Sequence, residues 1–211
     1  MVERKDFFKN LRQTLSLIEL RKEFKLKGIA LVILGFLINT GCWAVTSLLG
    51  WPIWLDTLGT VIISFVIGPL AGAATGILSS VLWFWFEPTS IFFIFVHAVI
   101  GFIPGYAVMW YWIREKPKIE FLGLGTLIAL ITVILSTIFR VLFCINLTVC
   151  YTMAGGLINY FAAYFYELAR VLFTDRFARE VVDKILVVLL AWLFIRTPKL
   201  LRQRRWWGRT K

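Results

Sequence analysis

Polar and apolar positions divide this chain into long unbroken apolar runs rather than amphipathic stripes. Gly28–Leu49 holds no ionisable group, and about 20 such residues suffice to cross a bilayer as a helix. Thr57–Ile67 and Pro69–Phe86 follow, divided by Gly68-Pro69. Ser90–Ile113 and Phe121–Ile145 are further runs, separated by the basic loop REKPKIE. Residues 146–179 are mixed: GLINYFAAYFY is apolar, but ELAR and TDRFARE interrupt it. Val181–Ile195 closes the set, with Asp183 and Lys184 near its start, and extends further N-terminally. The pattern predicts an all-α, polytopic membrane protein built as a six-helix bundle.

Two arrangements give six helices. In one, Gly68-Pro69 is a tight turn between a short second helix and a third, and residues 146–179 form a partly folded segment outside the membrane. In the other, residues 57–86 make one kinked span and 151–173 make another.

Charge chooses between them. Residues 1–27 hold eight Lys or Arg against four acids, and residues 196–211 hold seven and no acid, so the two ends carry the whole net charge of +11. Lys and Arg flanking spans are retained on the cytoplasmic side, which predicts two cytoplasmic termini and an even number of crossings. The kinked-span arrangement places Arg114, Lys116, Lys118, Arg170, Arg176 and Arg179 outside. The turn arrangement leaves only the last three there, and is preferred. The chain thus reads as a basic segment over 1–27, a membrane domain over 28–197 and a basic tail over 198–211.

Composition excludes other classes. Hydrophobic residues make up 60% and charged residues 17%, too little polar surface to cover a soluble globule. Phe7, Phe8, Leu11, Leu15 and Ile18 share one face of a basic N-terminal helix that suits a membrane surface, as does the RQRRWWGRTK tail. Anionic lipid head groups account for both ends, so nucleic acid is not needed as a partner. The first apolar run is too long for the core of a signal peptide, and Asn39-Thr40-Gly41-Cys42 has Asn where a lipoprotein box has Leu. Cys42, Cys144 and Cys150 lack metal-ligand spacing, and Asn146-Leu147-Thr148 is a glycosylation sequon. H-E-x-x-H, G-x-S-x-G and the phosphate-binding G-x-x-x-x-G-K-[ST] are absent, which predicts no enzyme, no cofactor and no nucleotide site.

Ionisable groups inside spans are costly and therefore candidates for function. In the preferred arrangement Asp56, Glu87, His97, Arg140, Asp183 and Lys184 fall in the outer half, with Asn146 and Asn159 close by, as expected of an outward-facing pocket. Each has a plainer reading. Arg140 and Asp183 neutralise each other, Lys184 snorkels to the interface, His97 is a hydrogen-bonded core histidine, and Asn39 bonds between helices. Trp51 and Trp54 read as interface anchors or as stacking surfaces for a planar ligand. Gly68, Gly72 and Gly76 form two consecutive G-x-x-x-G units, a ridge for close helix approach within the bundle or to a partner membrane protein.

LDTLGTVIISFVIGPLAGAATGILSSV at 55–81 and EVVDKILVVLLAWLFIRTPKLLRQR at 180–204 resemble the substrate-binding S components of bacterial energy-coupling factor transporters. The resemblance implies a multi-pass protein of the bacterial cell membrane that captures a vitamin or related small molecule from outside. It implies as partners a transmembrane coupling subunit and two ATP-binding subunits, with Trp51, Trp54, Asp56, Glu87, His97, Arg140, Asn146 and Asn159 as ligand candidates. The first span spaces its small residues differently from the family's docking pair, at Gly28, Ala30, Gly35 and Gly41. The alternative is a membrane sensor or assembly protein acting through its basic ends.

Overall fold

The computed structural model describes residues 26–109, 117–142, 162, 164–166, 169–170 and 175–195. These residues contain helices and no strand. The principal helices are α1 (Leu26–Leu48), α2 (Leu58–Val66), α3 (Pro69–Trp83), α4 (Ile94–Met109), α5 (Pro117–Leu142) and α6 (Asp175–Ile195), with a 3-10 turn at Pro88–Phe93 leading into α4. Gly28–Leu48, Pro88–Val108 and Leu122–Phe139 are long and apolar enough to cross a membrane; α3 is apolar but shorter.

α2 is the unusual element. Its nine residues span about 13 Å, less than half of a ~30 Å hydrocarbon layer, and Gly59 through Phe65 are all buried. Val61, Ile62 and Phe65 pack in one core with Val96 and Ile100 of α4, Leu124 and Ile128 of α5, and Val187, Val188 and Ala191 of α6. Ile63 packs on the opposite side with Val32 of α1 and Ala71 of α3. A helix apolar all round is stable only when enclosed, and α2 is enclosed by its neighbours.

α2 and α3 are antiparallel partners, not halves of one kinked span. Asn39 of α1 meets both Thr60 and Ser79, while a Cβ on Gly35, one turn earlier, would meet both Ile63 and Thr75. As the chain descends α2 from 60 to 63, its α3 neighbours run backwards from 79 to 75. The reversal occurs at Gly68, whose φ of 151° and ψ of 175° lie where side-chain-bearing residues are strained, and Pro69 starts α3 with its φ preset. Gly68 is therefore a turn residue rather than part of a packing ridge.

Gly72 and Gly76 face α4. A Cβ on Gly72 would strike the Gly101 carbonyl and Ser64, and one on Gly76 would strike the His97 backbone. Gly101 and Gly105 return the approach from α4, toward Gly72 and Pro69. The α3 ridge is thus filled from within the bundle. Ser64 of α2 adds a hydrogen bond to the Gly101 carbonyl, in the turn of α4 that contains Pro104.

Candidate functional site

Because α2 begins deep in the bundle, the chain leading to it must bring polar backbone inside. An N-terminus in apolar surroundings leaves N–H groups to satisfy. The Thr57 side chain makes no capping bond. Instead α1 supplies one: Asn39 Oδ1 accepts the Thr60 N–H at 3.2 Å, while its Nδ2 donates to Thr60 Oγ1 (2.8 Å) and Ser79 Oγ (3.0 Å). One fully buried amide therefore ties α1, α2 and α3 together.

The segment before α2 is fixed from α6. Asp183 Oδ1 accepts the N–H groups of Trp54 (3.2 Å) and Leu55 (2.8 Å), and Asp183 Oδ2 accepts from Lys184 Nζ at 2.7 Å. Lys184 also donates to Thr57 Oγ1 (3.3 Å) and lies 3.6 Å from Asp56 Oδ1 and 3.9 Å from Glu180 Oε2. Asp183 and Lys184 are 1% and 4% exposed. Lys184 does not snorkel: three carboxylates surround its ammonium, so withdrawal to an interface would abandon them. The described partners of the Asp183 oxygens are Lys184 and the two amides. Arg140 lies in α5, with its side chain outside the described residues.

A third wall comes from α3 and α4. His97 Nδ1 meets Ser80 Oγ, and the ring stands edge-on to Trp83 with centroids 6.0 Å apart. Trp83 donates from Nε1 to Thr40 Oγ1 at 3.1 Å and lies 6.1 Å from Trp43, so the aromatic wall continues onto α1. Among the described residues, Asp56 Oδ1 is buried with no hydrogen-bond partner beyond the ion pair. The arrangement can present a carboxylate, an imidazole and an indole face around the start of α2.

Comparison with known proteins finds no matching family model, curated protein or solved structure.

The predicted residues separate into three groups. Asp56 lies against Lys184 just before α2, and His97 lies against Ser80 and Trp83 on the α3–α4 side. Trp51 and Trp54 are more than half exposed, and the described side-chain bond of the exposed Glu87 is local, accepting from Thr89 Oγ1 at 3.0 Å. Asn146 and Asn159 lie outside the described residues. Sequence reasoning passed over Thr57, Thr60, Ser79, Ser80 and Trp83. The hydroxyl pairs, Thr57 with Thr60 and Ser79 beside Ser80, were the available signal, but hydroxyls are common in apolar helices.

Proposed function

We propose that this chain is the membrane-embedded capture subunit of a small-molecule uptake transporter, a binder rather than a catalyst. In this reading it sits in a bacterial cell membrane with both termini cytoplasmic. Six helices cross, the second crossing being made by segment 51–57 together with the short α2. The loop end of the bundle faces outward, and the solute meets Asp56, His97 and Trp83 at the start of α2. A transmembrane coupling subunit and two ATP-binding subunits supply the energy step.

The observation that supports it is the Asp56–Lys184 pair at the N-terminus of a half-length helix inside an otherwise apolar body. Intramembrane charge is costly, and discontinuous helices are a recurrent way to place polar groups at a transporter's binding site. Asp183 pairs Lys184 more closely than Asp56 does, leaving the Asp56 carboxylate the less occupied of the two.

The test is mass spectrometry of small molecules released from gently purified protein, followed by thermal-shift measurements with vitamins and nucleobases. The expected result is one co-purifying solute that raises the melting temperature. The absence of both a released solute and any shift in melting temperature would overturn the proposal.

A further inference from the structure

Two connections at one end of the bundle are apolar where water-facing loops are ordinarily polar. Leu48 is 87% exposed, Trp85 80% and Phe86 77%, and Trp51 and Trp54 join them. Between Gly28 and Phe86 the sequence has a single charged residue, Asp56, which is turned into the bundle against Lys184.

Hydrogen bonds place these aromatics at one height. Trp51 N donates to the Thr46 carbonyl, and Thr46 Oγ1 donates to the Trp54 carbonyl, each at 3.0 Å. On the α3 side, Trp83 is tied to Thr40 and packs near Trp43. Trp85 and Phe86 follow within one turn, which brings them toward the level of Thr46. At ~1.5 Å per residue, Thr46 stands about 27 Å along α1 from Gly28, close to the ~30 Å thickness of a hydrocarbon layer. Below it, Ile33, Leu34, Leu37 and Val45 form an exposed apolar surface on α1 that runs without a charge up to Leu48.

From this placement we infer that Trp51, Trp54, Trp85 and Phe86 form one lipid-contacting rim, seated at the boundary between acyl chains and head groups of a single leaflet. The partner is the bilayer itself. An indole has an apolar body and one N–H, which suits that boundary, and the rim continues the apolar surface of α1. The two connections are then anchored in lipid. Trp51 and Trp54, candidates for ligand stacking on sequence alone, contact lipid instead. This inference goes beyond the transport reading and stands whether or not the Asp56 layer binds a solute.

The test uses the full chain with its three cysteines replaced, carrying one spin label at a time through Trp51→Cys, Trp54→Cys, Trp85→Cys or Phe86→Cys. Each protein is reconstituted in phosphatidylcholine–phosphatidylglycerol vesicles, and label depth is read from the balance of oxygen and nickel-chelate collisions. All four labels are expected at one shallow depth, above a label introduced by Leu37→Cys near the middle of α1. Labels at 51 and 85 as accessible to the chelate as an aqueous label would overturn the inference. So would immobilisation that vanishes when the protein is diluted in lipid, because a second copy would then be covering the rim. A label-free measurement guards against loss of fold: fluorescence quenching by lipids brominated near the head group, with and without Trp51→Phe, Trp54→Phe and Trp85→Phe together. The triple variant is expected to lose the share of the shallow quenching that these three of the ten tryptophans carry, and unchanged quenching overturns the rim.

Discussion

Asp183 bonds Leu55 in a left-handed backbone conformation: its Oδ1 accepts the Leu55 N–H at 2.8 Å, and Leu55 sits at φ 49°. For a residue with a side chain that conformation costs roughly 1–2 kcal/mol. The same carboxylate takes the Trp54 N–H and the Lys184 ammonium. Asp183→Ala is therefore expected to leave a buried cation short of its nearest anion and two amides without an acceptor, a loss of about 3–5 kcal/mol. Thermal unfolding in detergent measures it, and an unchanged melting temperature would show that water or other groups replace the carboxylate. Asp183→Ala combined with Lys184→Met is expected to recover part of the loss, because no lone charge then remains buried.

Asn39 supports three helices through one amide. Asn39→Leu, of similar volume, leaves the Thr60 N–H without its acceptor, and a loss of about 1–2 kcal/mol is expected. The change should appear locally as faster amide exchange at the start of α2. Protection at residues 58–62 equal to that of the unaltered protein would mean that α2 does not depend on this cap.

The glycines predict opposite outcomes on two helices. Gly101→Ala sets a methyl against the backbone of Gly72 and Ala73, where no side chain can rotate away, and about 1–3 kcal/mol or more of destabilisation is expected. Gly41→Ala meets nothing within 4 Å and removes glycine flexibility from α1, so a gain of about 0.5–1 kcal/mol is expected. Melting temperatures that move in the same direction would contradict this division between packed and open glycines.

Asp56→Ala tests the proposed site. Membrane abundance is expected to stay within about twofold, since Asp183 still pairs Lys184 closely, while retention of the co-purifying solute falls at least tenfold, or about 1.4 kcal/mol. Undiminished retention would remove the start of α2 from the site.

Much of the architecture was legible because bilayer length and hydrogen-bonding requirements act locally on sequence. The uncharged run from Gly28 marked α1, and Gly68-Pro69 marked a reversal. Ends were less legible. Ser90–Ile113 read as one span, and Pro88–Val108 is long and apolar enough to be one, but its start at Pro88–Phe93 is a tighter 3-10 turn before α4 at Ile94–Met109. Apolarity alone does not distinguish those two helical geometries.

The sequence by itself determined an apolar helical body with basic ends, because solvation energy depends on composition and span length. It narrowed the polar residues to a few candidates. Only the tertiary structure decided their partners. Lys184 could be read as snorkelling until α6 was packed beside the start of α2, where Asp56 and Thr57, more than a hundred residues earlier, meet its ammonium. The Gly72–Gly76 ridge could face a partner until Gly101 and His97 were found against it. A long polar side chain in a helix has an aqueous and a paired solution, and the choice depends on which distant groups the fold brings within about 4 Å.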